Sequence, residues 1–176
     1  MLNDAFSDHG IGMTPEVRSI IDTTNRLTEF ARNRSIPVVF AMDSFLRGDF
    51  IFQGKMKEHS IRGTDGANVT GELTQADTDI YLPKRRFSAF FKTDLDQTLR
   101  LYGVDTVAVT GINTHWCVLT TAMDALSLDF RAYIIEDCCT SYKKELHEAV
   151  VTMYRQNPLY PIFQIMPLDD FIREVQ

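Results

Sequence analysis

Residues 106–136 most constrain the fold. Thr106 to Thr110 reads as an apolar strand that runs into Gly111, a short polar elbow and an apolar helix from His115 to Leu128; Arg131 to Glu136 then reads as a second strand. Apolar strands of this length, separated by helices, imply a parallel sheet covered on both faces. The alternation recurs along the chain. Thr14-Pro15 reads as N-cap and first residue of a helix whose apolar stripe (Val17, Ile20, Ile21, Leu27, Phe30, Ala31) lasts to about Asn33. Ile36 to Met42 reads as a buried strand with Pro37 near its start, and Asp79 to Leu82 as a short one. A helix over Leu95–Tyr102 closes at Gly103, a second covers Lys143–Gln156, and Pro161–Met166 is the last strand. Residues 44–76 lack periodicity and are too long for an ordinary connection, which marks them as functional.

The chain has 176 residues and neither an internal repeat nor a linker, so one domain over 1–176 is expected. A net charge of −6 argues against nucleic acid, which wants a basic surface. No apolar run is long enough to span a bilayer, and no secretory signal pattern opens the chain. The three cysteines are Cys117 and the adjacent pair Cys138-Cys139; neighbours seldom bridge, so a reducing cytoplasm is the expected compartment.

Cys117 stands apart because it follows a strand and an elbow and opens a helix. Unpaired N–H groups and the partial positive charge of a helix start favour thiolate over thiol. The same N–H groups suit an oxyanion formed when that sulfur attacks a carbonyl. Sites in parallel α/β sheets form beyond the carboxyl ends of the strands, so Asp43, Lys84, Gly111–Cys117 and Asp137 should share one edge.

Three blocks of residues resemble the isochorismatase-like cysteine hydrolase superfamily, and in type its N-carbamoylsarcosine amidase-related members. They are Gly111-Ile-Asn-Thr-His-Trp-Cys117-Val with Thr121 and Asp124 behind, Lys84-Arg-Arg-Phe-Ser88-Ala-Phe90, and Met1-Leu-Asn3-Asp4-Ala-Phe6. The resemblance implies a three-layer αβα sandwich with a mainly parallel, Rossmann-like sheet of about six strands, in a homo-oligomer (dimer or tetramer). It also implies an Asp–Lys–Cys triad, with Cys117 as nucleophile and Lys84 as its electrostatic partner. An elbow formed by Ile112, Asn113, Thr114, Trp116 and Cys117 is implied as well, with a cis peptide at Ile112–Asn113 and backbone N–H groups turned to the oxyanion. No cofactor is called for beyond substrate and water.

The family's aspartate ends the first strand, immediately before the residue matching Met1. The reading is therefore that the protein extends upstream of Met1; within the given residues Asp4 is the candidate third member, at a different family position. Nicotinamidases carry Asp-x-His as two ligands to a divalent metal, where this sequence has Asp43-Ser44-Phe45. Asp43 and His59 alone are too few, so no metal is expected. Phe6, Asp43, Phe45, His59 and Arg85 are expected to line the substrate pocket, and Arg47, Arg62 and Arg86 are further candidates to grip a carboxylate. The expected activity is hydrolysis of a small amide or N-carbamoyl C–N bond through an acyl-enzyme. Alternatives are a nicotinamidase, an isochorismatase-type hydrolase, or a catalytically silent binding or redox member.

Overall fold

The computed structural model describes residues 1–7 and 10–175. The first long helix, α1 (Pro15–Asn33), starts as its sequence demands: Thr14 Oγ1 accepts the N–H of Val17 at 3.2 Å, and Pro15 fills a position where its missing N–H costs nothing. Strand β1 (Val39–Asp43) follows. The long connection then leads to β2 (Ile80–Lys84), α2 (Leu95–Leu101) and β3 (Thr106–Ile112). A π-helical turn over Thr114–Val118 leads straight into α3 (Leu119–Ser127). The chain finishes with β4 (Arg131–Thr140), α4 (Lys144–Tyr154), β5 (Phe163–Met166) and α5 (Leu168–Glu174).

Strand β4 shows why the fold is layered. Its Ala132 and Ile134 join one core cluster with Ala122, Ala125 and Val150 of α3 and α4. The alternate residues Tyr133 and Ile135 join another with Leu27 of α1 and Leu168 and Phe171 of α5. A period of two thus sends helices to both faces, as a doubly covered parallel sheet requires.

All strand pairs are parallel, but the sheet is not the continuous six-stranded one expected. Among the described residues five strands form two pieces, β1–β2 and β3–β4–β5. One cavity of about 1910 Å³ is lined by residues of both β1 and β3. The consequence is visible in burial: most of β4 is buried, whereas β1 and β3 are mostly half-buried.

The other departures are local. The helix expected from His115 begins as a wider turn, and α5 was not expected at all. Asp137 does not join the site edge: it lies inside β4, and its Oδ1 accepts the N–H of Leu168 at 2.9 Å, capping α5. Among the described residues no helix is long and apolar enough to cross a membrane.

Candidate active site

Parallel pairing assembles the site. In the β1–β2 ladder Asp43 lies opposite Lys84, so the last residues of the two strands meet side by side. Lys84 is only 4 % exposed, and a buried ammonium needs partners. Its Nζ donates to Asp43 Oδ1, to the carbonyl of Arg86 at 3.0 Å and to Cys117 Sγ at 3.7 Å. The structure thus brings Asp43, Lys84 and Cys117 together.

Asp4 is elsewhere engaged. Its Oδ2 accepts the N–H of Ser60 at 2.6 Å, and its carboxylate lies so close over Gly66 that a Cβ there would overlap it. The carboxylate at the Lys84–Cys117 pair is therefore Asp43, which the sequence had suggested only as a pocket residue. Met1 lines the same cavity, its backbone nitrogen near enough to Asp43, Lys84 and Cys117 for their charges to act on it.

The thiol departs from expectation. Burial pushes Cys117 up to about 11, the Asp43 charge adds to the rise, and Lys84 opposes it. Desolvation thus outweighs the Lys84 charge that opposes it. Cys138 is pushed up to about 12, chiefly by burial, and Cys139 is raised too; both are buried, whereas Cys117 is only partly so.

The elbow is held from β4. Gly111 has φ +124°, a conformation that favours glycine, and Ile112–Asn113 is cis. Asn113 Oδ1 accepts the N–H of Tyr142 at 2.8 Å. Thr114 Oγ1 donates to the Thr140 carbonyl at 3.0 Å, and His115 Nδ1 pairs with Ser141 Oγ at 2.9 Å. Three successive elbow residues are thus tied to Thr140, the last residue of β4, and the two that follow it. Trp116 N–H donates to the Asn113 carbonyl at 3.1 Å, so it is committed within the turn rather than turned to an oxyanion. The Trp116 indole stacks on Phe87 with centroids 4.9 Å apart, at the cavity wall.

The remaining pocket expectations divide. Asp43, Phe45 and His59 line the cavity. Phe45 is 1 % exposed and meets Phe52 and His59 edge-on, with centroids at 5.3 and 5.4 Å. Phe6 instead packs against the core cluster of Leu2, Val17 and Ile21. Arg85 also lies off the cavity wall: its Nε and Nη2 donate to Asp49 Oδ2 at 3.1 and 2.7 Å. Arg86 pairs with the same buried Asp49, Arg62 donates to Ser44 Oγ, and Arg47 pairs with Glu58. All four arginines thus have partners of their own, and two of them share Asp49.

The residues do not fit the divalent metal of nicotinamidases. A phenyl ring stands where the second ligand of Asp-x-His belongs, Asp43 is paired to Lys84, and His59 Nδ1 donates to the Lys57 carbonyl at 2.9 Å. Among the described residues no three His, Cys, Asp or Glu side chains cluster as metal ligands.

Sequence reasoning missed Asp49, the Arg86 carbonyl, Ser141 and His147. Asp49 carried a faint signal, an acid in the long polar segment of a chain that also has an Arg85-Arg86 run. Nothing in spacing links the two.

A parallel α/β sheet with a Lys–Cys pair beyond its strand ends is the arrangement to which the comparisons with known proteins apply. Residues 1–162 match the isochorismatase domain, and the chain belongs to that family. It is 30 % identical over 164 residues to the probable inactive nicotinamidase At3g16190 of Arabidopsis thaliana, covering 85 % of this chain and 81 % of that one. An isochorismatase-like hydrolase from Alkaliphilus metalliredigens superposes with a TM-score of 0.86 at 30 % identity, over 100 % of this chain and 95 % of the other. The N-carbamoylsarcosine amidase of Thermoplasma acidophilum does so at 0.79 and 29 %, over 95 % and 91 %.

Proposed function

We propose that this chain is a cysteine amidohydrolase cleaving the C–N bond of a small amide or N-carbamoyl compound. The observation that carries the reading is Lys84 Nζ, held between the Asp43 carboxylate and Cys117 Sγ. A thiol that burial pushes up needs a base at hand when it attacks. Asp43 takes the thiol proton as Sγ bonds to the carbonyl carbon, and Lys84 offsets the charge that develops on sulfur and oxygen. The C–N bond then breaks, and the nitrogen leaves with the proton Asp43 held. Water adds to the thioester, losing a proton to Asp43; the acid departs, and Sγ recovers its proton. The backbone N–H groups of Asn113 and Cys117 are the donors this reading assigns to the oxyanion.

Likeness to an N-carbamoylsarcosine amidase supports the N-carbamoyl class, and Phe45 in place of a metal-binding histidine weighs against nicotinamide. Ammonia release from a panel of N-carbamoyl amino acids and simple amides, against nicotinamide, tests this. Turnover of an N-carbamoyl compound that vanishes in Cys117→Ala is expected; turnover of nicotinamide alone would reject the substrate class. A catalytically silent member is the second reading. It is favoured by the thiol pushed up to about 11 and by the relative described as probably inactive. No turnover of any panel member by a folded protein would select it.

A further inference from the structure

The wall behind the elbow holds a histidine that the reaction itself does not use. Thr114 opens the turn that carries Cys117 three residues later, and it is 0 % exposed. Its hydroxyl has two neighbours, the Thr140 carbonyl at 3.0 Å and His147 Nδ1 at 2.9 Å. A carbonyl can only accept, so the single hydroxyl proton goes to Thr140, and the lone pair that remains must accept from His147. That fixes the neutral ring as its Nδ1–H tautomer. His147 lies on α4, so one hydroxyl joins three elements: the elbow, the end of β4 and α4. Burial holds the His147 imidazole below its ordinary range, against the pull of Glu148 and Glu16.

We propose that His147 is a positioning residue for Cys117: by donating Nδ1–H to Thr114 it fixes the turn that keeps Sγ within reach of Lys84 Nζ. The inference rests on Cys117 being the nucleophile. The Lys84–Cys117 approach is already long at 3.7 Å, so a small drift of the turn weakens the contact with the ammonium that favours the thiolate. Asn places a side-chain N–H where the His Nδ1–H lies, whereas Leu fills similar space with no donor. His147→Asn should therefore retain what His147→Leu loses.

The test is the rate of Cys117 alkylation by iodoacetamide against pH, with melting temperatures measured alongside. The reading expects the His147→Leu profile to move to higher pH, with kcat on any turned-over amide down about tenfold or more and KM within about twofold, since misplacement of a reacting group acts on the chemical step. His147→Asn should follow the parent protein. If His147→Leu does not fold, Thr114→Val against Thr114→Ser asks the same question from the acceptor's side, with the loss expected only in Val. A donor-free variant that folds and keeps the parental profile overturns the inference. Parent protein whose Cys117 is not alkylated ahead of Cys138 and Cys139 overturns the nucleophile reading itself, a separate result.

Discussion

Cys117 lies between two opposed influences, and they can be separated one side chain at a time. The Asp43 charge pushes its thiol up and Lys84 pulls it down. Asp43→Asn removes the first and leaves the buried ammonium needing a counter-charge, which the sulfur can supply. Alkylation of Cys117 by iodoacetamide at pH 7 should then become faster, about tenfold for each pKa unit recovered. Hydrolysis should fall about a hundredfold or more, because the base is gone. Lys84→Met should do the reverse to labelling, slowing it at every pH below about 11. If Asp43→Asn slowed alkylation, the carboxylate would not be acting on the thiol by charge. That Lys84 and Cys117 meet at one sheet edge was legible in the residues because each ends or follows a strand. The sign of the thiol's shift was not, since helix-start electrostatics can be read from a sequence and burial depth cannot. Nor could Asp43 be told from Asp4 as the carboxylate at the pair, because that choice is made by the β1–β2 register.

At the scale of elements, the strands and most helices were legible from period and punctuation, and the end of the chain was not. The helix α5 has seven residues, too short for a full apolar stripe, and it follows Pro167 with no polar cap in its own sequence. Its cap comes from 31 residues away, where Asp137 accepts the N–H of Leu168. Asp137→Ala should cost about 1 kcal/mol, as loss of a capping carboxylate does. It should lower the melting temperature while leaving the alkylation profile of Cys117 untouched. A shift in that profile would return Asp137 to the site. Asp49 does the corresponding work for the loop after β2. Its carboxylate draws in Arg85 and Arg86, and the Arg86 carbonyl caps Lys84 Nζ. Asp49→Ala would leave two arginines without their buried partner, so it should loosen Lys84 and reduce kcat as well as stability. Asp49→Glu should recover part of both.

The whole molecule combines a tightly buried half, β4 and β5 with their helices, and a cavity that opens between β1 and β3. The elbow bonds to the buried half, through residues 140–142 and His147, and that sets how pH should act on stability. Burial lowers both His115 and His147 from the ordinary 6.5. An unfolded chain binds their protons below about pH 6.5, while the folded chain takes them up only at lower pH. In that window the unfolded state holds more protons, so stability rises with pH and falls on acidification. Asp49 acts later: Arg85 holds its carboxyl below the usual range, so its contribution is present at neutral pH and is lost only as the solution passes through that depressed value. The melting temperature should therefore sag between pH 7 and 5, before the Asp49 pairing fails. A His115→Asn, His147→Asn double variant should flatten that sag. It keeps every carboxylate, so the change in net charge on acidification is otherwise the same in both proteins. Thermal melts at half-unit pH steps decide the matter; a parent curve that climbs on acidification would mean that these imidazoles gain, rather than lose, proton affinity when the elbow closes against β4.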